Sequence, residues 1–319
     1  MDTRKIFIAK MSIALAASLL LMILTITTAD AMQQNSDEPY RVEEFSINTP
    51  GDLEVRTSGG HITVEGSGDD QVRVEMYVSK NGRSLSPSDT DLDEFEITIA
   101  RNGNRVQAIA KKENSDSWKF WKNNNTSISF VVYTPKEMST DLRTSGGHIK
   151  TTDLRGTQQI RTSGGHLQLA NLEGTVDART SGGHIEISDV SGEIEARTSG
   201  GHIDAENTEG NLRVRTSGGH IDLENIAGTV EASTSGGGIS ADITEMGEFA
   251  RLRTSGGNVH ITVPRNIGLD LDLRGSRVRT QLENFSGSME DDDVEGSING
   301  GGPMLSARTS GGTVRVSFK

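Results

Sequence analysis

One unit of this chain reads Arg179-Thr-Ser-Gly-Gly-His184-Ile-Glu-Ile-Ser-Asp-Val-Ser-Gly192-Glu-Ile-Glu-Ala196, and close copies of it run through much of the sequence. Its tetrapeptide Thr-Ser-Gly-Gly occurs nine times in the 319 residues, and from Thr144 to Thr234 the copies recur every 18 residues. A short fixed period is typical of a solenoid, in which a coil cannot bury its apolar face alone but stacks on its neighbours. The repeat therefore predicts a β-solenoid with about 18 residues in each coil.

Apolar and polar residues alternate in two short runs within the unit. Ile185 and Ile187 have polar neighbours, and so do Ile194 and Ala196. This period of two is typical of half-buried strands, and the segment 189–192 between them has the composition of a turn. We therefore predict an all-β protein, a parallel β-helix with two strands per coil and like residues stacked about 4.8 Å apart. The Thr of each corner has inward parity, so its hydroxyl is predicted to bond along the stack or within the Gly-Gly corner.

The period fails at both ends of the chain. Terminal coils of a solenoid must differ from internal ones, because a bare end is an open sheet edge that invites aggregation. We interpret the irregular regions as caps. The predicted segments are a signal peptide (1–31), an N-terminal β-rich cap that includes a first repeat coil (32–142), the regular β-solenoid repeats (143–273), and a C-terminal coil and cap (274–319).

The first 31 residues have the composition of a secretory leader. Arg4, Lys5 and Lys10 precede an uncharged apolar stretch, Met11 to Thr28, and Ala29-Asp30-Ala31 supplies small residues at the spacing that signal peptidase requires. We predict that the leader is cleaved, which leaves no stable membrane span and places the protein in the periplasm, on the outer surface or outside the cell. An uncleaved anchor is the alternative that the length of the apolar stretch leaves open.

The composition excludes several kinds of partner and of stabilisation. The net charge of −13 repels nucleic acid backbones, so no nucleic-acid partner is expected and any anionic partner must use a local basic strip. The chain has no Cys, which excludes disulfides and a lipid-anchored cysteine. Stability must therefore come from the stacking of coils, whose thin core agrees with the hydrophobic content of 33%.

The order of these segments resembles a known family. A secretory leader is followed by a first Thr-Ser-Gly-Gly coil, a strand-rich insertion that closes on Val131-Val-Tyr-Thr-Pro135, a run of coils, and Gly296-Ser-Ile-Asn-Gly-Gly-Gly302 before a last coil. This arrangement resembles the bacterial "putative adhesin" β-solenoid family of unknown function, over essentially all of the chain after the leader. The resemblance implies a parallel β-helical protein of the cell envelope and carries over no catalytic residue. The regular His is a departure, because that position is commonly Asp or Asn in such repeats.

One outward column of the predicted coils consists of histidines. With acidic residues two positions further along the same face, they form a candidate site for a transition metal such as zinc. The residues are His148, His166, His184, His202, His220, Glu186, Asp204 and Asp222. Copying of one coil produces the same column without any metal, so a solvated ladder and a pH sensor are the alternatives. No cofactor is required by the sequence, and a divalent transition metal is the one that this column would take.

A second outward column, here called the Arg column, consists of Arg143, Arg161, Arg179, Arg197 and Arg215. Stacked charges of one sign are unfavourable unless they are paired, and Asp177, Glu195 and Glu231 lie near enough in the repeat to pair with them. The column is therefore either a structural ion-pair ladder or a strip that recognises sulfate, uronate or phosphate groups of an anionic polysaccharide.

Three aromatic residues, Trp118, Phe120 and Trp121, are clustered in an otherwise polar stretch. We predict that they plug one end of the solenoid. Stacking on a sugar ring or contact with a membrane surface are the alternatives.

No catalytic constellation stands apart from the repeated columns. β-Helical lyases and hydrolases depend on an asymmetric cluster of carboxylates or bases in a cleft, which the repeats do not provide. We therefore predict a secreted, non-enzymatic β-solenoid that acts as an adhesin-like surface interaction module or a structural module of the bacterial envelope. An anionic polysaccharide or another envelope component is the expected partner. A metal-binding scaffold and a glycan-processing β-helix enzyme are the alternatives.

Overall fold

The computed structural model describes residues 38–88, 92–112 and 125–319. All regular elements in these residues are β-strands, and they form one 22-stranded sheet within a compact unit, Tyr40–Lys319. The described residues contain no helix long and apolar enough to cross a membrane. The predicted all-β solenoid is therefore confirmed, whereas the predicted leader at 1–31 lies outside the described residues.

The strands fall into three groups along the chain. The N-terminal region contains β1 (Arg41–Ser46), β2 (Gly51–Arg56), β3 (Ile62–Ser67), β4 (Gln71–Lys80), β5 (Arg83–Leu85), β6 (Phe95–Asn102), β7 (Arg105–Lys112), β8 (Thr126–Pro135) and β9 (Met138–Arg143). The regular coils contain β10 (Ile149–Arg161), β11 (Leu167–Arg179), β12 (Ile185–Arg197), β13 (Ile203–Arg215), β14 (Ile221–Ser233) and β15 (Ile239–Thr254). The C-terminal region contains β16 (Val259–Val263), β17 (Leu269–Arg274), β18 (Arg277–Arg279), β19 (Phe285–Met289), β20 (Asp293–Ile298), β21 (Met304–Thr309) and β22 (Thr313–Phe318).

The regular coils stack in parallel, with paired residues one repeat apart, as Ile185 lies beside Ile203. The sequence predicts two strands per coil, but each coil from β10 to β14 has one 13-residue strand that bends at its Asp or Asn. Asp189 has a φ of 55° and Gly192 a φ of 122°, and these residue types accept the left-handed region more readily than others. The ladder of backbone pairs therefore skips only Asp189 and resumes at Val190. We call the residues before the bend the His-side half of a coil and those after it the Arg-side half.

The interior is a thin layer of stacked apolar columns. The first inward column is completely buried and consists of Ile149, Leu167, Ile185, Ile203 and Ile221. One inward column of the Arg-side half consists mainly of smaller residues, Ile160, Ala178, Ala196, Val214 and Ala232. Because polar residues alternate with these columns, the outer surface carries columns that are just as regular.

A ladder of buried threonines holds the Thr-Ser-Gly-Gly corners together. The hydroxyl of Thr198 donates to the carbonyl of Gly183 in the preceding coil at 2.9 Å and accepts the N–H of Gly201 at 3.3 Å. The same pair of bonds recurs at Thr144, Thr162, Thr180, Thr216, Thr234, Thr254 and Thr309. The predicted bonding of the Thr column is confirmed in both of its forms, along the stack and within the corner.

At the C-terminal end, the order of the coils in space differs from their order in the sequence. β21 lies between β15 and β17, and β22 lies between β16 and β18. The last Thr-Ser-Gly-Gly coil is therefore internal, and the coil formed by β17 and β18 lies beyond it. Two antiparallel strands, β20 and β19, then continue the sheet next to β17.

The N-terminal end has the same arrangement. β2 lies between β9 and β7, and β3 lies between β10 and β8, so the first Thr-Ser-Gly-Gly coil is also internal. β6 and β4 pair antiparallel with β7 and β8. At both ends, therefore, parallel coils give way to antiparallel strands.

Candidate functional site

Six histidines stack into a continuous column beside the Thr-Ser-Gly-Gly corners. They are His61, His148, His166, His184, His202 and His220, and neighbouring ring centroids lie 4.8 to 5.3 Å apart with ring planes within 11° of parallel. The pairing of β3 with β10 brings His61 beside His148 across 87 residues of sequence. We call this set the His column.

Each imidazole of the His column accepts a backbone hydrogen bond from the next coil. The Nδ1 of His184 accepts the N–H of His202 at 2.9 Å, and at the end of the column the Nδ1 of His220 accepts the N–H of Gly238 at 2.9 Å. Asn258, which occupies the same repeat position, accepts the N–H of Thr313 through its Oδ1 at 2.8 Å. The position therefore supplies an acceptor for the next corner, and His and Asn both fulfil that requirement.

These hydrogen bonds determine which nitrogen of each His is left for a ligand. An Nδ1 that accepts a hydrogen bond leaves the proton of a neutral imidazole on Nε2. Coordination of a metal through Nε2, or protonation of the ring, would put a proton on Nδ1, where it would face the backbone N–H. The described residues contain no group of three or more His, Asp or Glu side chains placed to hold a metal ion. A metal site on the His column therefore stays a prediction, and it competes with the hydrogen bonds of the ladder.

We expect His184→Leu to lower the free energy of unfolding by about 1 kcal/mol, because the N–H of His202 loses its acceptor. His184→Asn should retain nearly full stability, since an Asn amide oxygen fulfils this role at Asn258. Urea denaturation of the two variants and the native protein measures the difference. Equal stability of the Leu and Asn variants would contradict the structural role. A zinc-dependent rise in the melting temperature that is lost in His184→Asn would instead support a metal site.

The carboxylates predicted beside the His column line an open groove on the outer surface of the His-side half. Glu186, Asp204 and Asp222 lie in register on adjacent strands. With Glu206 and Glu224 they line a groove of about 680 Å³. Partial burial and then the charge of Asp222 raise the pKa of the Asp204 carboxyl above its ordinary value. The carboxylates thus form a negatively charged surface alongside the His column.

The Arg column forms on the outer surface of the Arg-side half, and Arg56 extends it at the N-terminal end. Asp177 lies 2.7 Å from Arg179 and 3.2 Å from Arg161, so one carboxylate joins two guanidinium groups. Asp141 joins Arg56 and Arg143 in the same way. Ion pairing is therefore present along the column, although its arginine side chains remain between 38% and 45% exposed.

A second group of arginines includes two at a repeat position that is acidic in most other coils. Arg213 and Arg251 occupy the outward position that carries Asp177 or Glu195 in other coils. Together with Arg215 and Arg253 they form a basic surface that we call the Arg patch. The sequence already shows Arg213 and Arg251 as basic residues at a repeat position that is otherwise mostly acidic. Which of these arginines find a carboxylate depended on side-chain contacts between the coils.

The Arg patch is only partly neutralised. Glu231 accepts hydrogen bonds from Arg213 at 3.1 Å and Arg215 at 2.6 Å. Although burial acts to raise it, these two bonds hold the pKa of Glu231 below its ordinary value. The guanidinium of Arg251 lies over the ring of Phe249, 4.8 Å from its centroid. Neither Arg251 nor Arg253 forms an ion pair with another described residue.

The aromatic cluster predicted at Trp118, Phe120 and Trp121 lies outside the described residues. The role of this cluster, as a plug of the solenoid or as a stacking surface, therefore stays a prediction.

Several solved structures are similar to this chain, whereas no curated protein sequence matches it. A "putative adhesin" from Bacteroides fragilis NCTC 9343 is 10% identical, with 86% of this chain and 96% of that chain covered and a TM-score of 0.39. A "putative adhesin" from Parabacteroides distasonis ATCC 8503 is 14% identical, with 88% and 98% covered and a TM-score of 0.38. A "putative lipid binding protein" from the same organism is 14% identical, with 88% and 97% covered and a TM-score of 0.36. Likenesses as weak as these say nothing about function.

The family assignment comes from the sequence profile of Toastrack DUF4097, which matches residues 43–317. The match spans the first coil, the regular repeats and the last coil, which are the segments that carry the resemblance to the adhesin-like β-solenoid family. That resemblance is confirmed, and the chain belongs to the Toastrack DUF4097 family.

Proposed function

We propose that this protein is a non-enzymatic interaction module of the bacterial envelope that binds an extended anionic polymer along the Arg column and the adjoining Arg patch, with the Arg patch as the most basic part of this surface. One observation carries the proposal. The Arg patch brings four arginines onto strands β13 and β15, on either side of β14, and Glu231 is the one carboxylate that forms ion pairs with any of them within the described residues. In a chain with a net charge of −13, such a local excess of positive charge suits an anionic partner.

The geometry of the Arg column supports a partner that is long rather than compact. Its guanidinium groups recur once per coil, about 4.8 Å apart, which is close to the length of one sugar in an extended chain, roughly 5 Å. A polymer with one acidic group per sugar would therefore meet several arginines in turn. Contacts that are individually weak then act together, so affinity should rise steeply with polymer length.

An envelope location follows from two further expectations. The predicted leader exports the chain, and the family resemblance implies a surface or structural module. The repeated outer columns favour binding over catalysis, because a catalytic site needs residues in unequal and complementary roles.

The proposal predicts that sulfated or uronate-rich glycans bind the native protein with an affinity that falls as salt is added, because exposed guanidinium contacts are screened. We expect a variant with Gln at Arg213, Arg215, Arg251 and Arg253 to bind about 10-fold more weakly or worse, since it removes charge-assisted contacts at the most basic place. A variant with Gln at Arg143, Arg161, Arg179 and Arg197 removes the same number of charges and should lose less. Both are compared by calorimetry with a long and a short polyuronate.

Neutral dextran serves as the control ligand, and thermal unfolding checks that both variants fold. The proposal fails if the native protein binds no anionic glycan, or if the Arg patch variant binds as tightly as the native protein. Ion pairing would then be the whole explanation of the Arg column.

A further inference from the structure

A cavity of about 640 Å³ lies at the C-terminal end of the solenoid, away from the Arg patch. β22 and β18 contribute to its wall and pair in parallel, so that Arg315 lies directly beside Arg279 and Val314 beside Val278. Arg265, which follows β16, adds a third guanidinium to the lining and is held there by a backbone hydrogen bond from its N–H to the carbonyl of Lys319 at 2.9 Å. The cavity thus has three arginines on its walls.

The placement of Arg279 beside Arg315 differs from every other pair of neighbouring arginines on the described strands. Like charges directly opposite each other on neighbouring strands are destabilising. Wherever else two arginines lie opposite each other on paired described strands, at least one of them is joined to a carboxylate. Asp272, for example, pairs with both Arg274 and Arg308.

Neither Arg279 nor Arg315 has such a carboxylate among the described residues. The positions that supply the acidic partner elsewhere, two residues before the arginine, hold Arg277 and Thr313. Glu283 lines the same cavity but forms no ion pair with any of the three arginines within the described chain. The hydroxyl of Thr280, also in the lining, is shielded from solvent and lacks a hydrogen-bond partner in the described structure.

We propose that this cavity binds a small organic anion whose carboxylate, sulfate or phosphate lies between Arg279 and Arg315. The anion takes the place that Asp177 or Asp272 occupies between other pairs of arginines, where planar guanidinium groups match the oxygens of such a ligand. The volume exceeds what an inorganic ion fills and falls in the range of sites for small molecules. Arg265 and the Thr280 hydroxyl provide further donors for the rest of the ligand. The site is separate from the Arg column and does not rest on the function proposed for it.

The test uses the full chain and four probes, namely glucose 6-phosphate, glucuronate, inorganic phosphate and neutral glucose. Calorimetry or chemical-shift titration should detect glucose 6-phosphate or glucuronate, bound more tightly than inorganic phosphate, and should detect no glucose. We expect Arg279→Gln and Arg315→Gln each to weaken binding by about 10-fold or more, because each removes a charge-assisted contact.

Arg277→Gln is the matched control. Arg277 lies two residues from Arg279 on the same short strand and does not line the cavity, and its replacement changes the net charge by the same amount. Binding by Arg277→Gln within about 2-fold of the native affinity supports the site, as does full binding by the Arg patch variant. Equal weakening by Arg277→Gln and Arg279→Gln would show a nonspecific charge effect and overturn the proposal. Absence of binding by the native protein to both organic anions, or equal affinity for inorganic phosphate, would also overturn it.

Discussion

Gly201→Ala is expected to destabilise the solenoid by at least about 3 kcal/mol, whereas Gly200→Ala, one residue earlier, should leave its stability nearly unchanged. A Cβ on Gly201 would lie 2.5 Å from the carbonyl carbon of Gly183, closer still to its oxygen, and 2.9 Å from the backbone nitrogen of His184. All of these atoms belong to the backbone of the preceding coil. The clash therefore cannot be relieved by turning a side chain, and the two coils must move apart.

The first glycine of the corner has a different environment. A Cβ on Gly200 would meet no atom of the preceding coil closer than 3.7 Å, which is ordinary van der Waals contact. Replacement of Gly by Ala also restricts the unfolded chain, so Gly200→Ala can gain up to about 1 kcal/mol. Urea denaturation of the two variants compares the same chemical change at adjacent positions. Equal destabilisation by both would show that the corners are not packed backbone to backbone.

Ile203→Asp is expected to lower the free energy of unfolding by several kcal/mol, on the order of 4 to 5 kcal/mol, because it places an unpaired charge in the core. Ile203 is completely buried and lies between Ile185 and Ile221 of the neighbouring coils. Both neighbours in this inward column are apolar, so the carboxylate gains no opposite charge from them. Loss of this coil also weakens its neighbours, because each coil depends on the ones beside it.

Ile203→Val is the control for this change. It keeps the position apolar and removes one methylene group, so it should cost only about 1 kcal/mol. Thermal unfolding followed by circular dichroism measures both variants against the native protein. An unchanged melting temperature for Ile203→Asp would rule out the stacked-coil core.

The regular part of the fold was predictable because every coil repeats the same contacts. Ile185 identifies the inward column, and the placement of Asp189 and Gly192 identifies the bend, since a left-handed backbone favours these residue types. The prediction of two strands per coil was wrong, and the structure has one. Residues in the left-handed conformation can turn a strand without ending its ladder of hydrogen bonds. That distinction depends on hydrogen bonds between coils, which no single coil reveals.

The columns of the candidate sites were predictable from the repeat, but the hydrogen bonds and ion pairs of their side chains were not. The repeat places His184 above His202 without showing that the Nδ1 of the first accepts the N–H of the second. Nor does it show that Glu231 binds both Arg213 and Arg215 while Arg251 lies over the ring of Phe249. The pairing of Arg279 with Arg315 could not be predicted from the repeat. It forms only because the last coil of the sequence lies inside the stack.

The sequence by itself determined the coil length, the inward and outward columns and the family, because these depend on residues that recur at a fixed spacing along the chain. The tertiary structure alone decided the order of coils at the two ends and the cavity between β18 and β22. These features depend on contacts between segments that no repeat relates. The insertions at the ends have no neighbouring copy that specifies their register, so only packing against the stack determines where they lie.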